Sequence, residues 1–592
     1  MKKLWLAAAF LSLVMVSCQT SSSGGDRTRR PASGPQPANA GRQTWARTYA
    51  RQGTLTFAGD GVIYGFRMCP AADGGLFLLG HTAAGIPATY DSCVMKVSPE
   101  GLLEWQQTFR EGQGAGYTQF MRSIRPTADG GVIGGGESSG GLVAMKFLAN
   151  GDVEWQKLFD NEGNRLSFAD LQQTGDGGYL LLGSTGDPGT TGIPDERDIL
   201  LIKLDSSGNP VWQKTYDGLL NEQACSFLKE TDGGILICGC AQGAGSGSTR
   251  NLLLLRLSSS GEVEWQASYG GFDFDVRSFA LTNDGGSILS GRTYQGEILE
   301  FGDAWAMKIA GGGGVEWAKV YHGSYSEHFG SIQQTPDGGF IASGQRVAPI
   351  RGLLVKLAAD GELEWQRMYG GNELPEAFVA STNSSTVICA DGGAYYVWGD
   401  INCVRSLPGG IRGLLMKTST EGEVERLPAF LETATLEVQV FSPQPLPFVA
   451  AIQDTVVTAQ DAQVSRLDVT IRSGLLFSPP VEFSARHFLM TRSLALADYT
   501  NELSWQPNPA NDDLDIVKYR IYCEGPFLEP FSILPEGSEK VEEVDGESLR
   551  YYHRLLKPGE GYFYLIWGVT TDGGEGIPTY ITKYTAAGGV RP

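Results

Sequence analysis

Histidine and positive charge are scarce in this chain. The 592 residues include five histidines, and none of them stands in an H-E-x-x-H or other paired metal spacing; they are His81, His322, His328, His487 and His553. Zinc enzymes and histidine-based catalytic triads are therefore disfavoured. Lys and Arg number 46 against 67 Asp and Glu, a net charge of −21. Such a chain repels phosphate backbones, so we expect no nucleic-acid partner, and we expect no metal or cofactor.

Cysteine pairs of the C-x-x-C type are also absent. Beyond Cys18, the eight remaining cysteines are Cys69, Cys93, Cys225, Cys238, Cys240, Cys389, Cys403 and Cys523. Cys238 and Cys240 lack the further His or Cys residues that a zinc site needs. Cys225 faces Cys240 across a predicted hairpin centred on Asp232, so a disulfide between these two is one option. For most of the others we expect free buried thiols.

The N-terminus carries an apolar run that is too short to span a membrane. Met1-Lys2-Lys3 gives a positive start, and residues 4–16 form the run, against the roughly 20 residues that a spanning helix needs. This pattern predicts a signal peptide over residues 1–17. Residues 18–40 are rich in Ser, Gly and Pro and predict a flexible tether.

The end of this signal peptide resembles the lipobox of bacterial lipoproteins. The residues concerned are Met15-Val16-Ser17-Cys18, although that family usually has Leu where Met15 stands. The resemblance implies that Cys18 is acylated, becomes the mature N-terminus and anchors the chain in a membrane. An ordinary secretory signal with a chance cysteine is the alternative.

Glycine is abundant, with 80 residues, about twice its usual share of ~7 %. Much of it belongs to a repeat. The tripeptide Asp-Gly-Gly recurs at intervals of 47 to 56 residues, beginning at Asp73, Asp129, Asp176, Asp232, Asp284, Asp337 and Asp391. A basic residue follows each copy, at Lys96, Lys146, Lys203, Arg256, Lys308, Lys356 and Lys417. In six repeats a tryptophan stands nine residues later and four after a glycine, at Trp105, Trp155, Trp212, Trp265, Trp317 and Trp365.

Each repeat contains four short β-type segments, the composition of a propeller blade. Asp-Gly predicts a tight hairpin between the first two strands, because glycine supplies a positive φ at little cost. In the seventh repeat Arg426 stands where tryptophan is due, while Trp45 precedes the first repeat with Gly41 four residues before it. We therefore predict that the Trp45 strand completes the last blade and closes a seven-bladed β-propeller over residues 41–428. Eight blades are the alternative, if the segment around Arg426 pairs with the strands that follow.

These repeats resemble those of bacterial extracytoplasmic lipoproteins and surface proteins with D-G-G…K-L-x-x-x-G-x-x-x-W patterns. The resemblance covers about 390 residues and implies a propeller with no assigned catalytic site. The G-x-x-x-W element also resembles the docking repeat of quinoprotein dehydrogenases. Those proteins would add a vicinal disulfide, and no two cysteines are adjacent in this chain.

The C-terminal third lacks the repeat. Residues 429–478 predict an extended linker or two or three strands leaning on the propeller. Residues 479–592 resemble a fibronectin type III domain, with Trp505 in the place of the core tryptophan and Leu556, Pro558 and Tyr562 in the place of the tyrosine corner. The predicted fold class is therefore all-β throughout, with a propeller followed by a sandwich.

The repeated residues are expected to be structural. An identical Asp at each hairpin is explained by bonds to the backbone, and regularly spaced tryptophans are expected to pack between neighbouring blades. Arg67, Arg122 and Arg277 form an unequal set that would line one side of a pore, although exposed strand ends are the favoured interpretation.

Two functions fit these observations. The favoured one is a non-catalytic, lipid-anchored binding or scaffold protein of the bacterial cell envelope, at the outer membrane or cell surface. Its variable propeller loops would contact a protein or glycan partner. The alternative is a glycan hydrolase or lyase that uses two carboxylates outside the repeat.

Overall fold

The computed structural model describes residues 44–584 apart from 52–61, 85–88, 111–120, 139–140, 161–164, 187–196, 218–220, 232, 243–249, 271–272, 294–301, 324, 348–349, 370–377, 390–393, 404–410, 425–430, 433–436, 441–443, 447–450, 455–457, 462–464, 468–470, 478–480, 493–496, 512–513, 528–538, 557–560, 572–574 and 577–578. In this part of the chain the secondary structure is almost entirely β, with a short 3-10 turn at Pro509–Asn511. The all-β prediction is confirmed.

Repeated four-stranded antiparallel sheets account for the first two thirds of the chain. In chain order the strands of the first three are β2 (Val62–Pro70), β3 (Leu76–Ala84), β4 (Thr89–Val97), β5 (Leu103–Arg110); β6 (Met121–Pro126), β7 (Val132–Ser138), β8 (Gly141–Phe147), β9 (Val153–Asp160); and β10 (Arg165–Gln173), β11 (Tyr179–Gly186), β12 (Arg197–Leu204), β13 (Pro210–Asp217). Three further sheets follow the same order: β14 (Asn221–Thr231), β15 (Gly234–Gln242), β16 (Arg250–Ser258), β17 (Val263–Gly270); β18 (Asp275–Leu281), β19 (Ser287–Thr293), β20 (Asp303–Ile309), β21 (Val315–His322); and β22 (Glu327–Gln334), β23 (Phe340–Val347), β24 (Ile350–Leu357), β25 (Leu363–Tyr369).

The last repeat takes its fourth strand from the start of the described chain. It supplies only β26 (Phe378–Cys389), β27 (Tyr395–Cys403) and β28 (Ile411–Thr418), and β1 (Trp45–Arg51) pairs antiparallel with β28. Trp45 lies opposite Lys417, the register that sets Trp105 opposite Lys96 and Trp155 opposite Lys146. The N-terminal strand therefore occupies the position that the Gly41–Trp45 spacing predicts for it.

The first strands of neighbouring sheets contact one another in a closed series. β2 contacts β6, and the series continues through β10, β14, β18, β22 and β26 back to β2. Each hydrophobic cluster along this series is shared by two sheets; the one between the first two, for example, joins Phe77 and Val94 to Ile124, Val143 and Phe147. Burial of apolar side chains between sheets holds them together.

A chain segment after the repeats adds a fifth strand to each of these sheets. Its strands are β29 (Leu431–Glu432), β30 (Glu437–Val440), β31 (Gln444–Leu446), β32 (Ala451–Asp454), β33 (Thr458–Asp461), β34 (Ser465–Leu467) and β35 (Ile471–Phe477). They pair antiparallel with β25, β21, β17, β13, β9, β5 and β1, in the reverse of chain order. We call residues 431–477 the belt. The sequence predicts a linker or two or three strands here; the structure has seven short strands, because every outer edge offers unpaired backbone groups with which a strand can pair.

The register of the belt advances by seven residues per sheet. One belt residue lies opposite the aromatic residue that stands four positions after each repeat tryptophan. The pairs are Leu431 with Tyr369, Val438 with Tyr321, Pro445 with Tyr269, Ile452 with Tyr216, Ala459 with Phe159, Arg466 with Phe109 and Ser473 with Tyr49. Seven residues span at most roughly 23 Å at about 3.3 Å each, which sets an upper limit on the distance between paired positions on neighbouring outer edges.

The C-terminal module consists of two sheets with a core between them. One sheet contains β36 (Val481–Arg492), β37 (Ala497–Gln506) and β40 (Arg550–Leu556). The other contains β39 (Glu539–Asp545), β38 (Ile516–Phe527), β41 (Gly561–Thr570), β42 (Glu575–Gly576) and β43 (Thr579–Tyr584), and β42 also pairs with β35. Leu514 of this module joins the hydrophobic cluster of the first and last repeated sheets.

The described residues contain no helix that is long and apolar enough to cross a membrane.

Candidate functional site

The repeated Asp and Lys residues meet at one end of the sheets, which we call the turn end. In five sheets the Asp of Asp-Gly-Gly pairs with the strand-end Lys at 2.7–3.0 Å, as Asp73 does with Lys96 and Asp129 with Lys146. The Lys side chains are 2–10 % exposed, whereas the Asp side chains are 48–63 % exposed. Each ion pair therefore joins a half-exposed Asp of the hairpin turn to a Lys whose side chain is buried.

The two glycines of Asp-Gly-Gly are required for different physical reasons. Gly177 has φ +82° with open space around it, so backbone conformation alone favours glycine there. A Cβ on Gly178 would lie 2.3 Å from the Leu204 carbonyl oxygen and 2.7 Å from Lys203 Nζ, so no side chain fits. The hairpin is wider than the predicted tight turn. The Thr174 N–H donates to the Gly178 carbonyl oxygen, and the Gly177 N–H donates to the Thr174 carbonyl oxygen.

The repeat tryptophans join neighbouring sheets at the same end. Trp155 Nε1 donates to the Ser206 carbonyl of the next sheet at 3.1 Å. A Cβ on Gly208 would come within 2.8 Å of the Trp155 ring, so the indole packs directly on that glycine. Trp105 and Trp317 make the equivalent bonds to Ala149 and Ala359. These rings are partly covered by the next sheet.

Three of the predicted repeat positions are less fully defined. Asp232 and Asp391 lie outside the described residues, and Trp45 is placed by its backbone pairing. Arg426 also lies outside them. The remaining Asp and Trp positions all fall at the turn end, where they fit an architectural role.

The first strands of five consecutive sheets carry a different kind of group. They bring together Arg67 on β2, Arg125 on β6, Asp170 on β10, Lys229 on β14 and Arg277 on β18, and we call these five residues the inner cluster. The guanidinium of Arg125 donates to Asp170 Oδ2 at 2.7 Å, and Ser123 Oγ donates to Oδ1 at 2.8 Å. The Asp170 side chain is 2 % exposed. One buried carboxylate is thus surrounded by several cations.

The electrostatics of the inner cluster show how closely these charges interact. Burial, reinforced by Arg125 and Arg67, lowers the pKa of Lys229 to about 7, although Asp170 acts in the opposite direction. Burial and Arg125 likewise lower the pKa of Arg67 to about 10. Burial would raise the pKa of Asp170, but the Arg125 and Lys229 charges outweigh it and hold that pKa below its usual range. Strongly shifted groups of this kind concentrate at functional sites.

The sequence identified this cluster only in part. Of the unequal arginines, Arg67 and Arg277 belong to it, but Arg122 lies 3.5 Å from Glu137 and is 44 % exposed. Arg125, Asp170 and Lys229 were missed. The cluster residues stand at different distances before their Asp-Gly-Gly, from three residues for Lys229 to seven for Arg277, so no single position in the repeat selects them.

The option of a disulfide between Cys225 and Cys240 is wrong. Cys240 is a buried free thiol, and its Sγ lies 3.6 Å from the Phe274 carbonyl oxygen. The pairing of β14 with β15 shifts between Gln223 and Phe227, so Cys240 lies opposite Gln223. Burial raises the pKa of Cys69 and Cys93 to about 12, which keeps these thiols protonated and unreactive.

A pair of carboxyl groups lies at the opposite end of the sheets, which we call the loop end. Burial raises the pKa of Glu327 to about 7 and is reinforced by the Asp303 carboxylate. Burial also raises the pKa of Asp303, against the effect of His322. Glu327 is 2 % exposed and accepts a bond from the Gly323 N–H. Its burial gives a substrate little access to this carboxyl group.

The core of the C-terminal module contains one of its predicted landmarks. Trp505 is 1 % exposed and packs on Tyr519 with ring centroids 5.4 Å apart. Leu503, Ile521, Tyr564 and Ile566 complete the cluster. Leu556 and Tyr562 are placed by their strands alone, and Pro558 lies outside the described residues. Within the described residues, no group of three or more His, Cys, Asp or Glu side chains is arranged to hold a metal ion.

Comparisons with known proteins give likenesses of fold only. No family model matches the chain, and no curated protein matches it. Solved structures with a similar chain path include Drosophila plexin A in complex with semaphorin 1b, with TM-score 0.33 and 9 % identity over 62 % of this chain and 86 % of that one. A variant of the Synechocystis apocarotenoid oxygenase has TM-score 0.32 and 14 % identity over 72 % of this chain and 94 % of that one. These similarities are too distant to indicate an activity.

Proposed function

We propose that this chain is a lipid-anchored, non-catalytic binding protein of the bacterial cell envelope, with a propeller that presents its loop end to a protein or glycan partner. The observation that carries the proposal is the contrast between the two ends of the repeated sheets. At the turn end the same ion pairs and tryptophan contacts recur from sheet to sheet. The connections at the loop end differ in length, and recognition surfaces are built on such segments.

The proposed architecture is a closed seven-bladed β-propeller. Three features support it: β1 pairs in the last sheet, the first strands contact one another in a closed series, and the belt advances by seven residues per sheet. Closure gives the last sheet its fourth strand, and it leaves the first strands as short edges that face one another inside the ring. The eight-bladed alternative needs the chain after Thr418 to form a further blade, whereas residues 431–477 pair with the outer edges of existing sheets.

For residues 479–592 we propose a fibronectin type III-like domain that acts as a spacer or a second contact. The strand order β36-β37-β40 opposite β39-β38-β41-β43 is that of a seven-stranded sandwich. Trp505 lies in the core between the two sheets. Such a module extends the surface available to a partner without adding chemistry.

The anchor would be Cys18, acylated after removal of residues 1–17. Cys18 lies outside the described residues, so this part of the proposal depends on the sequence alone. We expect the Cys18→Ser chain to move from the membrane fraction to the soluble envelope fraction. Retention of that variant in membranes would remove the anchor from the proposal.

Site-specific photocrosslinking tests the binding end. A photoreactive phenylalanine is placed at Tyr325, a loop-end residue 45 % exposed, and, in a matched variant, at Val211, a turn-end residue 62 % exposed. In intact cells we expect a discrete envelope component to crosslink from position 325 and not from position 211. Crosslinking from position 211 with none from 325 would place the partner at the wrong end.

The enzymatic alternative, a glycan hydrolase or lyase, would use Glu327 and Asp303. Their raised pKa values are what a general acid requires. The Glu327→Gln variant is the test: loss of a glycan-cleaving activity present in the parent chain would favour the enzyme over the binding protein.

A further inference from the structure

Two side chains of the fourth strand, besides its tryptophan, join neighbouring sheets near the turn end. Between the third and fourth sheets, Lys214 stands two residues after the tryptophan, and its ammonium group donates to Glu262 at 2.6 Å. Tyr216 stands four residues after the tryptophan, and its hydroxyl donates to the Gly261 carbonyl oxygen at 2.8 Å. The fifth and sixth sheets are joined by the same two kinds of bond. A cation and a hydroxyl group therefore close these junctions.

The junction between the first and second sheets lacks both donors. Gln107 stands at the position of the cation, and Phe109 stands at the position of the tyrosine. Each of the other six fourth strands has a Lys or Arg at the first position, a Tyr at the second, or both. The cations are Arg47, Lys157, Lys214, Lys319 and Arg367, and the tyrosines are Tyr49, Tyr216, Tyr269, Tyr321 and Tyr369. The sequence of the first fourth strand therefore departs from the repeat at two neighbouring positions on one face.

A cleft of about 330 Å³ lies at this junction. Gln107 and Phe109 line it from the first sheet, and Asp152, Val153 and Trp155 line it from the second. Asp152 follows the repeat glycine, which is the position of the acid in the closed junctions. Val153 is 39 % exposed, so the cleft opens to solvent. The cleft thus lies where other junctions hold a lysine side chain paired with an acid.

The cleft presents hydrogen-bond acceptors that lack donors. Gln107 is 7 % exposed, and its buried amide oxygen has no hydrogen-bond partner among the described residues. Asp152 Oδ2 accepts from Asn150 Nδ2 at 2.8 Å, which leaves Oδ1 open. Glu154 also lines the cleft, and its carboxylate lies 3.4 Å from Lys146. Because a buried carbonyl oxygen without a donor is unfavourable, this junction is incomplete as a structural contact.

We propose that the cleft binds a primary alkylammonium group, which takes the place of the missing lysine. An ammonium group carries three N–H donors and no acceptor, so it matches a cleft whose open polar groups are acceptors. Asp152 and Glu154 supply the counter-charge. Phe109, Val153 and Trp155 supply apolar surface for the alkyl stem. This site goes beyond the proposed function, because it lies near the turn end and the proposed partner binds at the loop end.

The ammonium group has two possible sources, a free small amine or a lysine side chain of a polypeptide. n-Butylamine and Nα-acetyl-lysine methylamide carry the same butylammonium group, so they are titrated separately. Tighter binding of the lysine derivative assigns the site to a protein partner. Equal or tighter binding of butylamine assigns it to a free amine.

Calorimetric titration of the full chain, at pH 7 and low ionic strength, tests the site. We expect butylamine to bind with one site per chain. n-Butanol lacks the charge and n-butyltrimethylammonium lacks the N–H donors, so each should bind at least about 10-fold more weakly. These comparisons separate an ammonium site from an apolar cleft and from general attraction to an acidic chain. Binding of either analogue as tightly as butylamine would overturn the proposal.

Three variants locate the binding. Gln107→Lys supplies an ammonium group from within the chain and should abolish amine binding. Asp152→Asn removes a counter-charge and should weaken binding about 10-fold to 100-fold. Glu262→Gln is the matched control, because it removes the equivalent acid from a junction that Lys214 already closes; it should bind as the parent chain does. Circular dichroism during heating checks that each variant is folded.

The proposal fails if butylamine does not bind, if folded Gln107→Lys binds it as tightly as the parent chain, or if Glu262→Gln weakens binding as much as Asp152→Asn. Failure of this site is distinguishable from failure of the proposed function. Crosslinking from Tyr325 reports on the loop end, and Gln107→Lys should leave it intact. Absence of amine binding with retained crosslinking would overturn the ammonium site alone.

Discussion

The outer edge of each repeated sheet is its fourth strand, and the inner edge is its first strand. Residues at the outer edges recur from sheet to sheet, whereas residues at the inner edges differ. At the outer edge every sheet is treated alike: the fourth strand carries an aromatic residue four positions after its tryptophan, and the belt pairs opposite that residue in each sheet. At the inner edge the sheets differ, with Arg67 on one first strand, Asp170 on another and Lys229 on a third.

This difference separates architecture from function within one repeat. A residue that recurs in every sheet solves a problem that every sheet has, such as closing a turn or covering an edge. A residue present in one sheet alone cannot serve that purpose. Substitutions at the outer edge and turn end should therefore lower stability at every pH, whereas those at the inner edge should change how stability depends on pH.

The largest expected effect follows removal of β1. Deleting residues 44–51 leaves the last sheet without its fourth strand and β35 without a partner on that side. We expect loss of the cooperative thermal transition, more than about 5 kcal/mol of unfolding free energy. Circular dichroism during heating measures it, and deletion of residues 22–35 in the tether is the control. An unchanged melting curve would mean that the ring does not depend on this strand.

Two glycine substitutions test the packing at the turn end, and we expect the next largest loss of stability from them. Gly208→Ala places a Cβ against the Trp155 ring at a residue with φ +80°, so strain and overpacking add to about 3–5 kcal/mol. Gly177→Ala has φ +82° but open space and should lose only about 1–2 kcal/mol. Chemical denaturation measures both. Equal losses would show that the tryptophan contact between sheets adds nothing.

Much of the outer and turn-end architecture could be predicted from the sequence, because its residues recur at fixed spacing. The Trp45 strand was placed by one glycine and one tryptophan. The belt was not predicted, because its seven-residue register carries no common side chain: Leu431, Pro445 and Arg466 occupy equivalent positions. Backbone hydrogen bonds define that register, and they leave no signature in residue type.

The sequence identified only two of the five residues of the inner cluster, for a different reason. Its members come from first strands far apart in the chain, and they stand at different distances before Asp-Gly-Gly, from three residues for Lys229 to seven for Arg277. Only the folded ring brings Arg67 within electrostatic reach of Arg277. A single sequence gives no means of selecting Arg125 in place of Arg122.

Removal of the ion pair at one hairpin turn is expected to cause a smaller loss of stability. Asp129→Asn leaves the buried Lys146 ammonium without its 2.7 Å partner, although Glu154 remains 3.4 Å away. Because Asp129 is about half exposed, we expect a loss of about 1–2 kcal/mol. Asp152→Asn, at a neighbouring exposed turn, is the control and should be nearly neutral.

The pH dependence of this pair has a defined sign. Burial opposes the Asp129 charge, but bonds from Lys146, Thr127 and Gly131 lower its pKa to about 2, from a usual value of 3.8. A carboxyl group with a lowered folded-state pKa stabilises the fold above its usual pKa, and this contribution is lost as the pH falls toward 2. The stability difference between the parent chain and Asp129→Asn should therefore shrink between pH 4 and pH 2. A constant difference would show that the pair is not electrostatic.

The smallest loss of stability is expected at the inner edge, from Lys229→Met. The pKa of Lys229 falls from 10.5 to about 7 in the fold, chiefly through burial and the Arg125 and Arg67 charges. Below pH 7 its charge is present in both states and opposes folding; between pH 7 and 10.5 the unfolded chain binds more protons, so this penalty is relieved as the pH rises. The variant should match or exceed the parent chain at pH 6, and the parent should gain on it toward pH 10; thermal unfolding at each pH measures the difference. A variant less stable than the parent at pH 6 would assign Lys229 to the architecture and remove the distinction between the two edges.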